Sequence, residues 1–98
     1  MSLPLILRAA ARDEFDEAID WFEARKAGNG DDFEEAVQDV FDRISANPRL
    51  HQVVVRDIRR ALVAGFPYVV YYRELRNKVV VISVFHTSRN PAIWQRRS

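Results

Sequence analysis

The 98-residue sequence predicts an α+β fold: a twisted, mainly antiparallel sheet, an antiparallel helical hairpin packed on one face of it, and a short C-terminal helical turn. Three observations carry this. Two segments in the first half repeat apolar residues at three- and four-residue spacing, the period of a helix lying on a core. Two runs in the second half, Phe66 to Tyr72 and Val79 to Phe85, are dense in Val, Ile, Tyr and Phe, which fit a pleated, half-buried surface. Between those runs Arg76-Asn77-Lys78 supplies a reversal that makes them an antiparallel hairpin. The element order is β-α-α-β-β-β, in one domain spanning residues 1–98.

The chain begins with an edge strand, Leu3 to Leu7, because Pro4 fits only an edge or a strand start. A first helix runs from about Ala9 to Ala27, with Ala11, Phe15, Ala18, Ile19 and Phe22 on its apolar face. Asp13, Glu14, Asp16 and Glu17 fall near its start, where the helix dipole favours anions. Gly28-Asn29-Gly30 stops it and turns the chain. The second helix spans about Asp31 to Ala46, its core face formed by Phe33, Val37, Val40, Phe41 and Ile44, and Asn47-Pro48 ends it. Val53 to Ala64 reads as one strand interrupted by Arg56, Asp57, Arg59 and Arg60, twisted or close to an edge. After the hairpin, Asn90 caps and Pro91 opens a final turn, Ala92 to Arg97, that carries Trp94.

Taking Asn77-Lys78 as a two-residue loop, alternation sorts the hairpin into two faces. Val69, Tyr71, Leu75, Val80, Ile82 and Val84 form one, aliphatic enough to carry the core. Tyr68, Val70, Tyr72, Val79, Val81, Ser83 and Phe85 form the other, which is too apolar to stand bare and awaits another layer or a partner. A slip of one residue exchanges the two sets.

Charge is distributed unevenly. Residues 1–48 hold 12 Asp and Glu against 5 Lys and Arg, a net of −7, whereas residues 49–98 hold 2 against 10, a net of +8. Thirteen of the 15 basic residues are Arg, whose planar fork suits phosphate and carboxylate. Such an asymmetry fits a polyanionic or acidic partner on the basic half, or two halves that attract one another. The chain has no Cys, which excludes disulfides, thiolate metal sites and thiol catalysis, and its two His stand far apart, so neither a metal nor a cofactor is expected. With no signal-type segment and no membrane span, the expected location is cytoplasmic.

The element order and several spellings resemble the RelE/ParE superfamily of bacterial toxins from type II toxin-antitoxin modules. The residues that carry the resemblance are Ile58-Arg59-Arg60 leading to Gly65-Phe66-Pro67-Tyr68-Val69-Val70-Tyr71-Tyr72, then Val84-Phe85-His86 with Arg89, then Asn90-Pro91 and Trp94. The spelling is closest to the ParE, or plasmid stabilisation, branch. The resemblance implies a RelE/ParE-like fold and a toxin neutralised by an antitoxin encoded beside it. ParE-like members act on DNA gyrase, and RelE-like members cleave messenger RNA in the ribosomal A site.

Metal-free RNA cleavage needs a base, an acid and fixed cations around the phosphate. His86 and Arg89 are the catalytic candidates under that alternative, with Arg59 and Arg60 as further clamps. No Lys occurs between Arg49 and Arg76, and Trp94 stands in the tail where nucleases of the superfamily carry a hydroxyl or imidazole, so the spelling favours a gyrase-directed toxin without catalysis of its own. A third reading is a non-toxic RNA- or protein-binding module on the same fold. The expected partners are an acidic antitoxin, in a toxin-antitoxin hetero-oligomer, and gyrase, or alternatively the ribosome and mRNA. The residues expected to meet them are Arg56, Arg59, Arg60, Tyr68, Tyr72, Val81, Phe85, Arg89, Trp94, Arg96 and Arg97. Simpler roles compete: His86 as a hydrogen-bonded strand residue, His51 as an exposed one, and Trp94 as an anchor for the tail.

Overall fold

A computed structural model describes residues 2–97. In chain order the elements are β1 (Leu5–Leu7), α1 (Ala9–Arg25), α2 (Asn29–Ala46), β2 (Val53–Val55), β3 (Ile58–Leu62), β4 (Tyr68–Glu74), β5 (Val79–His86) and the single turn α3 (Ala92–Gln95). The five strands form one sheet in the order β1-β5-β4-β3-β2, in which β1 runs parallel to β5 and every other pair is antiparallel.

The α1–α2 corner follows from three residues. Gly28 adopts φ +88, the left-handed conformation that lets a helix end and the chain turn back. The Glu23 carboxylate, in the last turn of α1, accepts hydrogen bonds from the Gly28 and Gly30 backbone N–H groups at 3.0 Å, so donors at the start of α2 are satisfied by the preceding helix. Gly30 is a helical residue of α2, not part of the turn, and a Cβ there would stand 2.8 Å from the Ile19 carbonyl oxygen. The absent side chain is what allows the two helices to approach.

The segment from Val53 to Ala64 departs from the expected single strand. It is a tight hairpin, β2–β3, that reverses at Arg56 (φ 51) and Asp57. The Asp57 carboxylate accepts from Arg73 Nε at 2.8 Å, which ties the tip of this hairpin to β4. The charges that interrupted the apolar pattern therefore mark a turn.

In the β4–β5 hairpin the reversal is centred on Arg76-Asn77, one residue earlier than expected, with Leu75 N–H donating to the Lys78 carbonyl at 2.8 Å. Next to this turn the expected faces hold: Tyr72, Val79 and Val81 lie on one side, and Val80 and Ile82 on the other. A bulge then intervenes, because Tyr72 pairs with Val81 while Tyr71 pairs with Ser83. The extra residue inverts the alternation beyond it. Val84 consequently joins the helix-facing side and Phe85 the opposite one, the reverse of their expected places.

The helices cover the face expected to need another layer or a partner, not the more aliphatic one. Phe15, Phe22, Phe33, Val37, Phe41 and Ile44 pack on Val70, Tyr72, Val79, Val81 and Val84 to form the main core. On the helix-free face a smaller cluster gathers Ile58, Val69, Tyr71, Ile82 and Phe85 under Trp94.

Candidate functional site

Burial first sorts the residues expected to meet a partner. Tyr72 and Val81 are fully buried beneath the helices and Trp94 is buried in the smaller cluster, so these three side chains offer no surface, while Phe85, also buried there, shows only an edge to a groove on that face. Tyr72, Val81 and Phe85 do not share one face: the helical hairpin is the layer over Tyr72 and Val81, and Phe85 lies on the opposite side under Trp94. Tyr72 is instead a structural keystone. Its hydroxyl donates to the Pro48 carbonyl at 2.6 Å and lies 3.2 Å from His51 Nδ1, and burial pushes its pKa up to about 12.

His51, expected to be an exposed loop residue, is half-buried against Tyr72. Desolvation, then Arg43 and Arg59, hold its pKa below the ordinary value of 6.5. The unfolded chain thus takes up this proton more readily than the folded one, and the stability linked to neutral His51 is present above pH 6.5 and lost as pH falls through the depressed folded value. We expect the melting temperature to decline on acidification through this window, and His51→Gln to flatten the decline. A thermal melt series across pH checks it.

The arginines differ in what they meet. Arg59 Nη1 donates to the His51 carbonyl at 2.7 Å and to that of Arg49 at 3.4 Å, so it braces the loop before β2. Arg97 is the most constrained: its guanidinium meets Glu14 of α1 at 2.9 Å and 3.2 Å and reaches the Ile82 carbonyl at 3.3 Å, while Arg8 donates to the Arg97 carbonyl at 2.6 Å. It is a clasp on the tail, not part of an open basic patch. Arg56 stands at the tip of the β2–β3 hairpin and Arg96 is exposed on α3. Arg60 and Arg89, both exposed, line a groove of about 170 Å³ on the helix-free face, together with Val69, Tyr71, Phe85, Thr87 and Pro91. No carboxylate among the described residues lines this groove. Arg89 lies 5.5 Å over the Phe85 ring, and the Arg60 side chain has no hydrogen-bond or ion-pair partner among the described residues.

A larger groove of about 360 Å³ opens on the other side of Arg89, between α1 and the end of β5. Glu14, Glu17, Ala18 and Trp21 form its α1 wall, and Tyr68, Val84, His86, Ser88 and Arg89 the sheet wall. Burial raises the Tyr68 pKa, partly offset by Arg89. His86 Nδ1 accepts from the Ser88 backbone N–H at 3.0 Å, which leaves Nε2 to carry the proton of the neutral ring, and its ring meets Tyr68 edge to face at 5.1 Å. His86 and Arg89, the two candidates for chemistry, thus share this groove, but Arg59 is bonded to backbone carbonyls and Arg60 lines the other one. Arg89 does not close a turn against a carboxylate: Asp57 pairs with Arg73, and Glu74 with Arg49. No group of His, Asp and Glu able to hold a metal ion occurs among the described residues.

The residue that sequence reasoning missed is Glu14. Its Oε1 accepts from Ser83 Oγ at 2.9 Å and from the Val84 N–H at 3.3 Å, in addition to Arg97. A carboxylate three residues after Ala11 and four before Ala18 sits in the apolar register of α1, and that spacing was the available signal.

A search of curated proteins finds no match to this sequence. Among solved structures, the chain is similar to one from the chromosomal ParDE toxin-antitoxin system of P. aeruginosa, with a TM-score of 0.66, 13% sequence identity, and 89% of this chain and 98% of that chain covered. No helix among the described residues is long and apolar enough to cross a membrane. Residues 5–91 match the family model for the ParE toxin of the parDE type II toxin-antitoxin system, and with most of its length inside that match the chain belongs to the ParE toxin family.

Proposed function

We propose that this toxin acts on DNA gyrase, and that its antitoxin and its target compete for the helix-free face around Arg60, Arg89 and Arg96. The observation that carries the reading is the Arg60–Arg89 groove, which presents two guanidinium groups above an aromatic floor with no carboxylate in its lining among the described residues. Such a surface suits an acidic, amphipathic antitoxin segment that orders as it binds, its carboxylates meeting the Arg forks and its apolar side chains the floor. The tail supports gyrase over messenger RNA as the target. Trp94 is buried, no hydroxyl or imidazole takes its place on α3, and Arg59 is committed to backbone carbonyls.

The test is a supercoiling assay with purified gyrase, run beside a translating-ribosome assay. We expect inhibition of supercoiling and intact messenger RNA, with His86→Ala as potent as the parent. The double variant Arg60→Glu with Arg89→Glu should keep its melting temperature, because both side chains are exposed, and should lose affinity for antitoxin and gyrase by at least about a hundredfold at moderate salt. Codon-spaced cuts in messenger RNA that vanish with His86→Ala would overturn the proposal in favour of a nuclease.

A further inference from the structure

Helix α2 has the character that the Arg60–Arg89 groove selects. Residues 29–46 hold six Asp and Glu against one Arg, a net of −5. Asp32, Glu35 and Asp39 stand exposed at three- and four-residue spacing, along one side of the helix. They line a depression of about 240 Å³, which Ala36, Val40 and Ala64 complete and which has Arg43 at its C-terminal end. None of the three carboxylates has a hydrogen-bond or ion-pair partner among the described residues. This side of α2 is therefore acidic and apolar together.

The uncovered side of the sheet supplies the complement. Arg60 and Leu62 of β3 stand opposite Tyr71 and Val69 of β4, and cross-strand partners share a face, so both point to the side on which the basic groove opens. Leu62 is 64% exposed, an apolar knob next to Arg60. The small side chains in the α2 depression leave room for such a knob, and the carboxylates beside them match the Arg60 and Arg89 forks in charge. A net charge of +1 does little to hold two copies of the chain apart.

We propose that the α2 depression of one copy docks on the Arg60, Leu62 and Arg89 surface of a second copy. α2 belongs to the helical layer and the basic surface to the opposite side of the sheet, so the contact is heterologous. Each added copy leaves one patch of each kind open, and the toxin associates head to tail. The surfaces are small, which makes the contact weak and reversible. It uses the groove assigned above to the antitoxin but requires neither antitoxin nor gyrase, so its test is made on the toxin alone and can fail without touching the gyrase reading.

Sedimentation velocity of the purified full chain, run as a concentration series, is that test. We expect the weight-average mass to rise past that of a dimer without a plateau, and association to weaken about tenfold or more between about 50 mM and about 500 mM salt. Glu35→Gln with Asp39→Asn removes the acidic patch and keeps the groove, whereas Arg60→Gln with Arg89→Gln does the reverse. All four side chains are exposed, so both variants should keep the parent melting temperature. Each alone should stay monomeric, and their mixture should form a 1:1 pair that grows no further, because one contact of the two survives. Leu62→Ser should weaken association with no change in charge. A parent that stays monomeric leaves the groove to the antitoxin and overturns the proposal. A plateau at dimer, association indifferent to salt, or a mixture no larger than its components overturns it as well. The concentration and salt series of the parent decides the matter even where a variant folds poorly.

Discussion

Tyr72→Asp is expected to leave the protein without a cooperative unfolding transition at room temperature. The ring is fully buried between sheet and helices, and its hydroxyl satisfies the Pro48 carbonyl at 2.6 Å. Truncating a buried aromatic ring costs about 3–5 kcal/mol. An unpaired carboxylate left in the vacated space adds several kcal/mol more, or takes up a proton and still leaves the cavity. Against a total stability of about 5–15 kcal/mol for a domain of this size, the sum is close to complete loss. Tyr72→Phe isolates the hydroxyl and should cost only about 1–2 kcal/mol. Circular dichroism melts of the two variants check this, and a Tyr72→Asp protein melting within a few degrees of the parent would show that the ring is not where the core places it. The distinction matters for mapping partners, because a Tyr72→Asp variant that fails to bind antitoxin reports an unfolded protein and not a lost contact.

The second large effect is expected at Trp94. Replacing it with Ala removes the ring stacked on Tyr71 and unroofs Phe85, a loss of about 3–5 kcal/mol. For a chain of this length that lowers the melting temperature by more than about 10 °C. Trp94→Phe behaves differently. It keeps most of the stacking and deletes the buried Nε1 that has no partner among the described residues, a donor whose isolation costs about 1–3 kcal/mol. The two terms nearly cancel, and Trp94→Phe should melt within about 5 °C of the parent. Parent-like stability of Trp94→Ala, or a collapse of Trp94→Phe comparable to it, would contradict this balance. Arg97→Ala is no surface change either, since it leaves Glu14 partly buried without its cation. It should cost stability, unlike Arg96→Ala on the exposed side of α3.

Much of the architecture is legible in the amino-acid order because it follows from periodicity. The apolar spacing from Ala11 to Phe22 and from Phe33 to Ile44 locates both helices, and the Val- and Tyr-rich runs locate β4 and β5. What escapes is whatever one residue decides. Alternation predicts which side chains share a face only until an insertion breaks it, and nothing local in Val81-Ile82-Ser83 announces the bulge that moves Val84 and Phe85 to opposite sides. Nor does alternation say which face a helical hairpin will cover, and the tyrosine-bearing face, not the more aliphatic one, received it. Arg56 and Asp57 look like charges on a strand because a turn that relies on a non-glycine residue at positive φ carries no Gly or Asn signature. For the site, exposed arginines are legible as a class, but their availability depends on long-range partners. Arg97 and Arg60 look alike in sequence, and only the approach of Glu14 across 83 positions separates a clasp from a free guanidinium.

The place of β5 in the sheet bears on how the toxin is born. This strand, which follows the other four in the chain, lies between β1 and β4, and β1 finds in the sheet no neighbour but β5. A nascent chain that has reached Lys78 can build the helical hairpin from local contacts, but it has no strand to receive the N-terminus and no Val79, Val81 or Val84 to complete the main core. Assembly of the native sheet is thereby deferred until β5 has been made, and a chain that stops before it cannot bring its N-terminal strand into the sheet.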